Sequence, residues 1–288
     1  MIRLRDMVPG DLPHGLELCR HAGWNQTLED WQRFLRLAPG RCFVAETGGT
    51  IVGTVTTCLL ERVGWIATLL VSDSHRRQGT GMALLDRAVF LLREQGALRI
   101  RLDATPLGQP LYERRGFAPQ FTLRRYGGTL AQSASLDPDS TWIRSGSADE
   151  LAAIVRLDAE AVGYSRERLL RELFDEQPHS LWVAEKGDRL CGYALSRGGA
   201  LATQIGPCIA TDAEAGWALL QSALARHEGT PVFVDLPEGN AAAARVVQAA
   251  GLAPRRELVR MQLAIDAAEA ERHERIDWLW ASSGPEAG

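Results

Sequence analysis

Lysine is almost absent from this chain of 288 residues, because arginine supplies nearly all of the basic charge. Lysine and arginine together number 32, and Lys186 is the only lysine among them. The formal net charge is −4, so the chain has no overall excess of positive charge. Binding to nucleic acid or to an anionic membrane through the overall field normally needs such an excess. The composition therefore predicts neither a nucleic-acid partner nor a membrane partner.

Cysteine is also scarce, and its spacing excludes two classes of small scaffold. The count is odd, and no pair is spaced as CxxC; the five residues are Cys19, Cys42, Cys58, Cys191 and Cys208. Each lies in an apolar context, as expected of buried thiols in a reducing compartment. This pattern predicts neither a disulfide framework nor a zinc site, and we expect no bound metal.

Long apolar stretches are missing as well. No run reaches the ~18 residues that a membrane-spanning helix requires. The first residues, MIRLRDMVPGDLPHG, lack the apolar centre of a secretory signal. We therefore expect a soluble, cytoplasmic protein.

The chain does contain an internal repeat. The segments CFVAETGGTIVGTVTT and LWVAEKGDRLCGYALS, which begin at Cys42 and Leu181, both predict a strand, a glycine-containing turn and a second strand. Further along, RGFAPQFTLRRY from Arg115 resembles AGLAPRRELVRM from Ala250, and IRLRDMVPGDL near the start resembles IRSGSADEL. These matches share an offset of about 132 to 141 residues, so one unit occurs twice.

The repeat predicts two domains and their boundary. We place the first unit at residues 1–127 and the second at 141–288. Residues 128–140, rich in Gly, Ser and Asp and without apolar periodicity, are predicted to be the linker. Strands and helices are mixed in each unit, which predicts an α/β (α+β) fold with a mixed central sheet flanked by helices.

Periodicity places the elements of the first unit. Thr27 is a predicted helix N-cap, and Gly96 a predicted residue just beyond a helix end. Strands are predicted at residues 2–5, 41–46, 50–60, 64–71, 98–104 and 121–126, and helices at 9–22, 28–37, 79–95 and 109–115.

A basic, glycine-containing turn, RRQGTG, joins the predicted fourth strand to the long helix. The N-terminus of a helix carries unpaired N–H donors and attracts anions. Gly79 and Gly81 allow a phosphate to approach the backbone without a Cβ in the way, and Arg76 and Arg77 add charge-assisted contacts. The turn therefore suits a diphosphate. It is not a P-loop, and Leu84 replaces the third glycine of a dinucleotide fingerprint, which leaves coenzyme A as the common candidate.

Two motifs make the first half similar to the GNAT acetyltransferase superfamily. Arg76, Gly79 and Gly81 match the [QR]-x-x-G-x-[GA] turn of that family. Downstream, LYERRGFAP matches its Tyr-x-x-x-Gly-Phe pattern, from Tyr112 to Phe117. The whole chain resembles a bacterial subgroup in which a second, divergent GNAT-like unit follows the first.

The resemblance implies acetyl-CoA as cofactor and direct acyl transfer to an amine. Pantetheine would lie between the fourth and fifth strands and bond to the main chain of Leu70 and Val71. The residues that it implies for the cofactor are Leu70, Val71, Arg76, Arg77, Gln78, Gly79, Thr80, Gly81 and Met82.

The resemblance also implies catalytic residues. Tyr112 would be the general acid that protonates the leaving thiolate, although a core tyrosine is the alternative. Many family members have a glutamate on the fourth strand, whereas GWIATLLV has no acid. Asp103 is the nearest acidic candidate for a catalytic or substrate-contacting role; a strand-end carboxylate that caps a turn, or a water chain as base, is the alternative.

The acceptor side is less defined. Trp24 and Trp31 fall on a stretch that lines the acceptor in this fold, so they are predicted to bind substrate, and core packing is the alternative. We expect a small-molecule amine or amino-acid-like acceptor and a monomer or homodimer. A non-catalytic acyl-CoA sensor and a peptide or protein N-acetyltransferase remain alternatives.

The second unit has lost the corresponding chemistry. Alignment of the repeat places TDAEAG on RRQGTG, so that Asp212 and Glu214 bring negative charge where a diphosphate would lie. Val247 falls on Tyr112. The second unit is therefore predicted neither to bind coenzyme A in the same way nor to catalyse. Three roles stay open: a ligand pocket shaped by Asp235 and Asn240, a wall of the first unit's acceptor site, or a purely structural part.

Overall fold

A computed structural model describes residues 2–130, 142–266 and 274–288. The strands are β1 (Arg3–Asp6), β2 (Phe43–Thr47), β3 (Thr50–Leu60), β4 (Val63–Val71), β5 (Arg99–Ala104), β6 (Ala118–Thr129), β7 (Ile143–Ser145), β8 (Trp182–Lys186), β9 (Arg189–Arg197), β10 (Thr203–Ala210), β11 (Pro231–Pro237), β12 (Ala253–Ala264) and β13 (Leu279–Ala281). The α-helices are α1 (Leu12–His21), α2 (Leu28–Leu37), α3 (Thr80–Glu94), α4 (Gln109–Glu113), α5 (Leu151–Val162), α6 (Glu167–Glu176), α7 (Ala213–Ala225) and α8 (Ala241–Ala249). Short 3₁₀ turns occur at Pro9–Asp11, Asp73–His75, Ala148–Glu150 and Pro178–Ser180.

Most predicted elements of the first unit agree with the structure. Helix α2 and strand β3 have the predicted bounds. Thr27 caps α2 by accepting from the backbone N–H of Asp30, and Gly96 follows the end of α3 with a φ of +83°. The predicted linker begins too early, because β6 continues to Thr129; its residues 131–140 lie outside the described residues.

The two units share one mixed sheet, which confirms the α/β class with two tandem units. The strand order is β1-β2-β3-β4-β5-β12-β6-β11-β10-β9-β8-β7, and β13 pairs with β10. None of the helices in the described ranges is long and apolar enough to cross a membrane. In the same ranges no group of three or more His, Cys, Asp or Glu side chains is arranged to hold a metal ion, and all five cysteines are buried as free thiols.

The closing strands of the two units are exchanged. Strand β12 of the second unit lies between β5 and β6, and pairs antiparallel with both. Strand β6 of the first unit pairs antiparallel with β11 of the second unit. Each unit therefore completes the sheet of the other.

A reciprocal pair of buried ion pairs marks the exchange. Asp103 on β5 is opposite Arg260 on β12, and two hydrogen bonds of 2.8 and 2.9 Å join them. Asp235 on β11 is opposite Arg125 on β6, with hydrogen bonds of 2.7 and 2.6 Å. Removing one partner of a buried ion pair typically costs about 3–5 kcal/mol, because the other charge is left without compensation. The two pairs therefore hold each exchanged strand in its register.

The two faces of the first unit's sheet differ in what covers them. Alternate residues of β5, namely Ile100, Leu102 and Ala104, pack in one core with α3. The side chains between them, including Asp103, point to the opposite face, since residues of a strand alternate. Helices α1 and α2 cover part of that second face. A ligand that passes between β4 and β5 would therefore reach from the α3 side to the α1–α2 side.

Candidate active site

Strands β4 and β5 separate toward their C-terminal ends. Their parallel pairing is confined to Val63–Trp65 and Arg99–Arg101. Beyond it, a cleft of about 820 Å³ opens, whose walls include Leu69, Leu70 and Val71 of β4. Because β4 has a neighbour only on the β3 side here, its other backbone groups have no strand partner and face the cleft. The strand can thus accept an extended ligand as a further strand.

A bulge shapes β4 just before this opening. The β3–β4 register shifts between Thr54 and Thr56, and Thr68 has a φ of +44°. The hydroxyl of Thr54 donates to the carbonyl of Thr68 at 2.9 Å and secures this conformation. Unusual backbone conformations of this kind concentrate at functional sites.

The turn before α3 lies at one end of the cleft. Arg77 and Gly79 both have left-handed φ values, +59° and +83°. No side chain caps the helix N-terminus, so its first N–H groups remain available to an anion. The members of the turn region that line the cleft are Arg76, Arg77, Gly79, Gly81 and Met82. Successive N–H groups in such a turn, beside arginines, form an anion-binding concavity.

Two predicted cofactor residues stabilise this turn instead of lining the cleft with their side chains. The amide of Gln78 donates to the carbonyl of Ser74 at 3.0 Å. Thr80 is buried, with its hydroxyl 3.5 Å from the carbonyl oxygen of His75. Their part in anion binding would come through the backbone.

Tyr112 lies on α4, in the wall of the same cleft. Its ring contacts Phe117 edge-on, with 6.0 Å between ring centroids. Among the described residues its hydroxyl has no hydrogen-bond partner. Burial raises the pKa of this phenol, so the hydroxyl stays protonated at neutral pH and can donate a proton. Position and protonation state both suit a general acid.

Asp103 also borders the cleft, but its carboxylate is committed elsewhere. Both oxygens accept from Arg260, and the side chain has no exposed area. Burial raises the pKa of Asp103, and the charge and hydrogen bonds of Arg260 act in the opposite direction. The geometry argues against Asp103 as a general base and favours a role in holding β12 against β5.

The two tryptophans predicted to bind substrate lie in different places. Trp24 lines the cleft. Trp31 is completely buried in the core, edge-on to Phe34 with 5.8 Å between centroids, and its ring covers Gly15. The prediction for Trp31 is therefore wrong: the amphipathic pattern of α2 turns this ring to the core instead of the cleft.

The second unit contributes to the first unit's cleft. Asn25, in the α1–α2 loop, binds the β9–β10 loop of the second unit: its Nδ2 donates to the carbonyl of Ala202 at 2.9 Å, and its Oδ1 accepts from Leu201 N–H at 2.9 Å. Arg256 of β12 lines the cleft itself, whereas Leu201 and Ala202 line a neighbouring hollow that Arg256 also borders. Sequence reasoning missed Arg256; the only signal is that it takes the place of Phe121 when the repeat is aligned.

The equivalent gap in the second unit is filled by the chain itself. Strands β10 and β11 pair in parallel only over residues 203–205 and 232–234, and then separate as β4 and β5 do. Strand β13 occupies the gap and pairs antiparallel with β10 at Cys208 and Ile209. At the start of α7, the carboxylate of Asp212 accepts from Ala215 N–H at 2.9 Å and caps the helix. An acyl carrier would have to displace both, which supports the inference that this unit is not catalytic.

Trp280 of β13 plugs the second gap at its helix end. Its ring lies against Gly216, the counterpart of Gly81, so closely that a Cβ at this position would overlap it. The ring is 2% exposed and belongs to the core of the second unit.

Replacing Trp280 with alanine is expected to lower the free energy of unfolding by about 3–5 kcal/mol, because a large ring leaves a cavity in a packed core. Chemical denaturation of the full chain measures this. Trp217→Ala is the matched control, since Trp217 lies on the same helix with 37% of its surface exposed, and its loss should be much smaller. Equal losses of unfolding free energy in the two variants would contradict the role of Trp280 in filling the gap between β10 and β11.

Family models match both halves of the chain. A model described as the acetyltransferase (GNAT) family matches residues 12–117, and one described as an acetyltransferase (GNAT) domain matches residues 154–276. Together with the fold and the cleft, these matches establish the class. The chain belongs to the GNAT superfamily, carries two GNAT domains in tandem, and is an acyltransferase.

Several proteins are similar to this chain over most of its length. YitH of Bacillus subtilis strain 168, described as an uncharacterized N-acetyltransferase, is 28% identical over 225 residues, 77% of each chain. Holothin acyltransferase of Pseudoalteromonas sp. strain SANK 73390 is 24% identical over 216 residues, 74% of this chain and 71% of that protein. The crystal structure of a putative acetyltransferase from Pyrococcus horikoshii has a TM-score of 0.81 at 18% identity, covering 100% of this chain and 96% of the other. A tandem GNAT protein from the clavulanic acid biosynthesis pathway has a TM-score of 0.61 at 16% identity over 92% and 99% of the chains.

Proposed function

We propose that the chain transfers an acetyl group from acetyl-CoA to the amine of a small-molecule or amino-acid-like acceptor, in the cleft of its first unit. One observation supports this most strongly. The uncapped N-terminus of α3, flanked by Arg76 and Arg77, opens into the same cleft that Tyr112 borders. An anchor for a diphosphate and a proton donor thus serve a single cavity.

The donor would extend along β4. The diphosphate of acetyl-CoA would accept from the first N–H groups of α3, with the guanidinium groups of Arg76 and Arg77 beside it. Its pantetheine arm would bond to backbone groups of Leu70 and Val71, because that edge of β4 has no strand partner. The acetyl group would then be presented between β4 and β5.

The chemical step is direct attack. The neutral amine of the acceptor attacks the thioester carbonyl, the new C–N bond forms, and the C–S bond breaks. The leaving thiolate takes the proton of the Tyr112 hydroxyl, the proton of the amine passes to water, and the Tyr112 phenolate regains a proton from water. Holding the two reactants in place can contribute on the order of 7–11 kcal/mol, against roughly 10²–10⁴-fold for the proton transfer.

A small acceptor is favoured over a peptide because the second unit borders the acceptor end. Arg256 of β12 forms part of the cleft wall, and Asn25, next to Trp24 of that wall, binds Leu201 and Ala202 of the second unit. A relative that matches most of the chain is named holothin acyltransferase.

Release of free thiol from acetyl-CoA tests the proposal. The full chain is incubated with a panel of amino acids, polyamines, aminosugars and short peptides, with acetyl-CoA alone as the blank. We expect turnover with at least one small amine. Tight acetyl-CoA binding without turnover on any amine would favour an acyl-CoA sensor, and turnover on peptides alone would favour a peptide N-acetyltransferase.

A further inference from the structure

Arg256 is a half-buried cation that no carboxylate in the described part of the chain contacts directly. Within the described residues its guanidinium makes no hydrogen bond or ion pair, and its Nε is buried without a partner. The side chain lines the catalytic cleft, together with Trp24 and Tyr112. It also lines a neighbouring hollow of about 420 Å³, whose wall includes Leu201 and Phe233. Arg256 therefore stands where these two spaces meet.

The lack of a partner sets Arg256 apart from six arginines that are more deeply buried. Six buried arginines donate to carboxylates, and these are Arg33, Arg101, Arg125, Arg166, Arg197 and Arg260. Burying a charge is costly unless it is paired, and a carboxylate compensates each of these six guanidinium groups. An exception that lines a cavity indicates that the partner comes from outside the chain.

The surroundings strengthen the need for an anion. Arg125, opposite Arg256 in the β6–β12 register, is committed to Asp235. Burial and the nearby charge of Arg125 lower the pKa of Arg256 to about 10, although the carboxylates of Asp235 and Glu286 act in the opposite direction. At neutral pH the group is therefore still charged, in a place where a positive charge is disfavoured until an anion binds.

The position of Arg256 on the sheet places it on the acceptor side. Val259 packs with the core on the α3 face, so Arg256 and Arg260 point to the opposite face. The diphosphate anchor belongs to the α3 face, whereas Trp24 and the α1–α2 loop belong to the other. Arg256 would thus meet the acceptor instead of the diphosphate.

The internal repeat shows that the fold does not itself require an arginine here. Phe121 takes the equivalent position on β6, where its ring stacks under the guanidinium of Arg260 at 5.2 Å. The fold therefore accepts an aromatic residue at this position of β6. On β12, which borders the open cleft, the equivalent position carries the positive charge of Arg256.

We propose that Arg256 binds an anionic group of the acceptor, so that the acceptor is an amine that also carries a carboxylate. This inference rests on the proposed acetyl transfer. The planar fork of the guanidinium matches the two oxygens of a carboxylate, as in the Arg125–Asp235 and Arg260–Asp103 pairs. The product would be an N-acetylated compound with its carboxylate free.

Matched acceptor pairs test the proposal by steady-state kinetics on the full chain. Each amino acid is compared with its primary amide, and phosphoethanolamine with ethanolamine. The wild type should prefer the carboxylate member of each pair. Arg256→Gln should remove that preference, because kcat/KM for the carboxylate substrate should fall about 10- to 100-fold, mainly through a higher KM. The amide should be nearly unaffected. A preference for phosphoethanolamine alone would overturn the carboxylate assignment.

Two further variants separate recognition from general damage. Arg256→Lys keeps the charge without the fork and should recover part of the preference. Arg245→Gln makes the same substitution on an exposed arginine of α8 and should behave as the wild type. Equal losses on both members of every pair in Arg256→Gln would overturn the proposal.

A binding experiment tests the inference even if the protein shows no turnover. Isothermal calorimetry, with coenzyme A present, measures the affinity of the protein for N-acetylated amino acids and for their amides. These ligands resemble the expected products. If acetyl transfer fails but the acids bind the wild type and not Arg256→Gln, the proposed function is wrong and the anion site stands. If neither acids nor amides distinguish the two proteins, the anion site is wrong whether or not transfer occurs.

Discussion

Tyr112→Phe is expected to lower kcat by about 10²–10⁴-fold while acetyl-CoA still binds. The substitution removes one oxygen that has no protein partner among the described residues, so neither packing nor hydrogen bonding should change. What disappears is the proton donor for the departing thiolate. Assays of thiol release measure the fall in kcat, and calorimetry measures acetyl-CoA binding, so the two measurements separate catalysis from binding.

Tyr126→Phe supplies the matched control for this prediction. Tyr126 is buried on β6, in the core of the second unit, and should tolerate the loss of its hydroxyl without a change in kcat beyond a few-fold. Burial raises the pKa of Tyr112, so ionisation of this group should not reduce kcat up to about pH 10. A Tyr112→Phe enzyme that kept wild-type kcat would exclude the acid role.

Reversing both charges of the turn, in Arg76→Glu/Arg77→Glu, is expected to weaken acetyl-CoA binding by about 100-fold or more. Two charge-assisted contacts of roughly 1.5–3 kcal/mol each would be lost, and two carboxylates would repel the diphosphate. Isothermal calorimetry gives the change in Kd directly. The affinity should also depend on salt more weakly in the variant than in the wild type.

The control has the same change of charge away from the cleft. Arg62→Glu/Arg93→Glu reverses two exposed arginines of the first unit and should leave the Kd of acetyl-CoA within a few-fold of the wild type. An unchanged Kd in the Arg76/Arg77 variant, or an equal loss in both, would remove the basis for placing the diphosphate at α3.

Local patterns predicted the elements of the first unit well, because the information lies within each segment. The capping box of Thr27 and Asp30 starts α2, and the glycines at 79 and 96 flank α3. The exchange of β6 and β12 could not be predicted in this way. The two strands have similar sequences, so either could lie beside β5, and the pairing is decided by contacts more than 130 residues apart, such as Asp103 with Arg260.

The site was predicted only in part, because some of its residues belong to short local motifs and others do not. The turn from Arg76 to Gly81 and the position of Tyr112 are short motifs, and the structure brings them to one cleft. Trp31 was misplaced because an amphipathic helix does not reveal which of its aromatic residues faces a cavity. Arg256 was missed because its importance comes from the absence of a counter-ion, which only the three-dimensional neighbourhood shows.

The exchange of β6 and β12 also sets an order of events during translation. When the first unit leaves the ribosome, the edge of β5 lacks its native neighbour and Asp103 its native partner, because β12 and Arg260 have not yet been made. That edge is open to wrong pairing until residues 253–264 emerge. The first unit should therefore mature only after β12 has been synthesised, so the second unit acts as a folding partner supplied by the same chain.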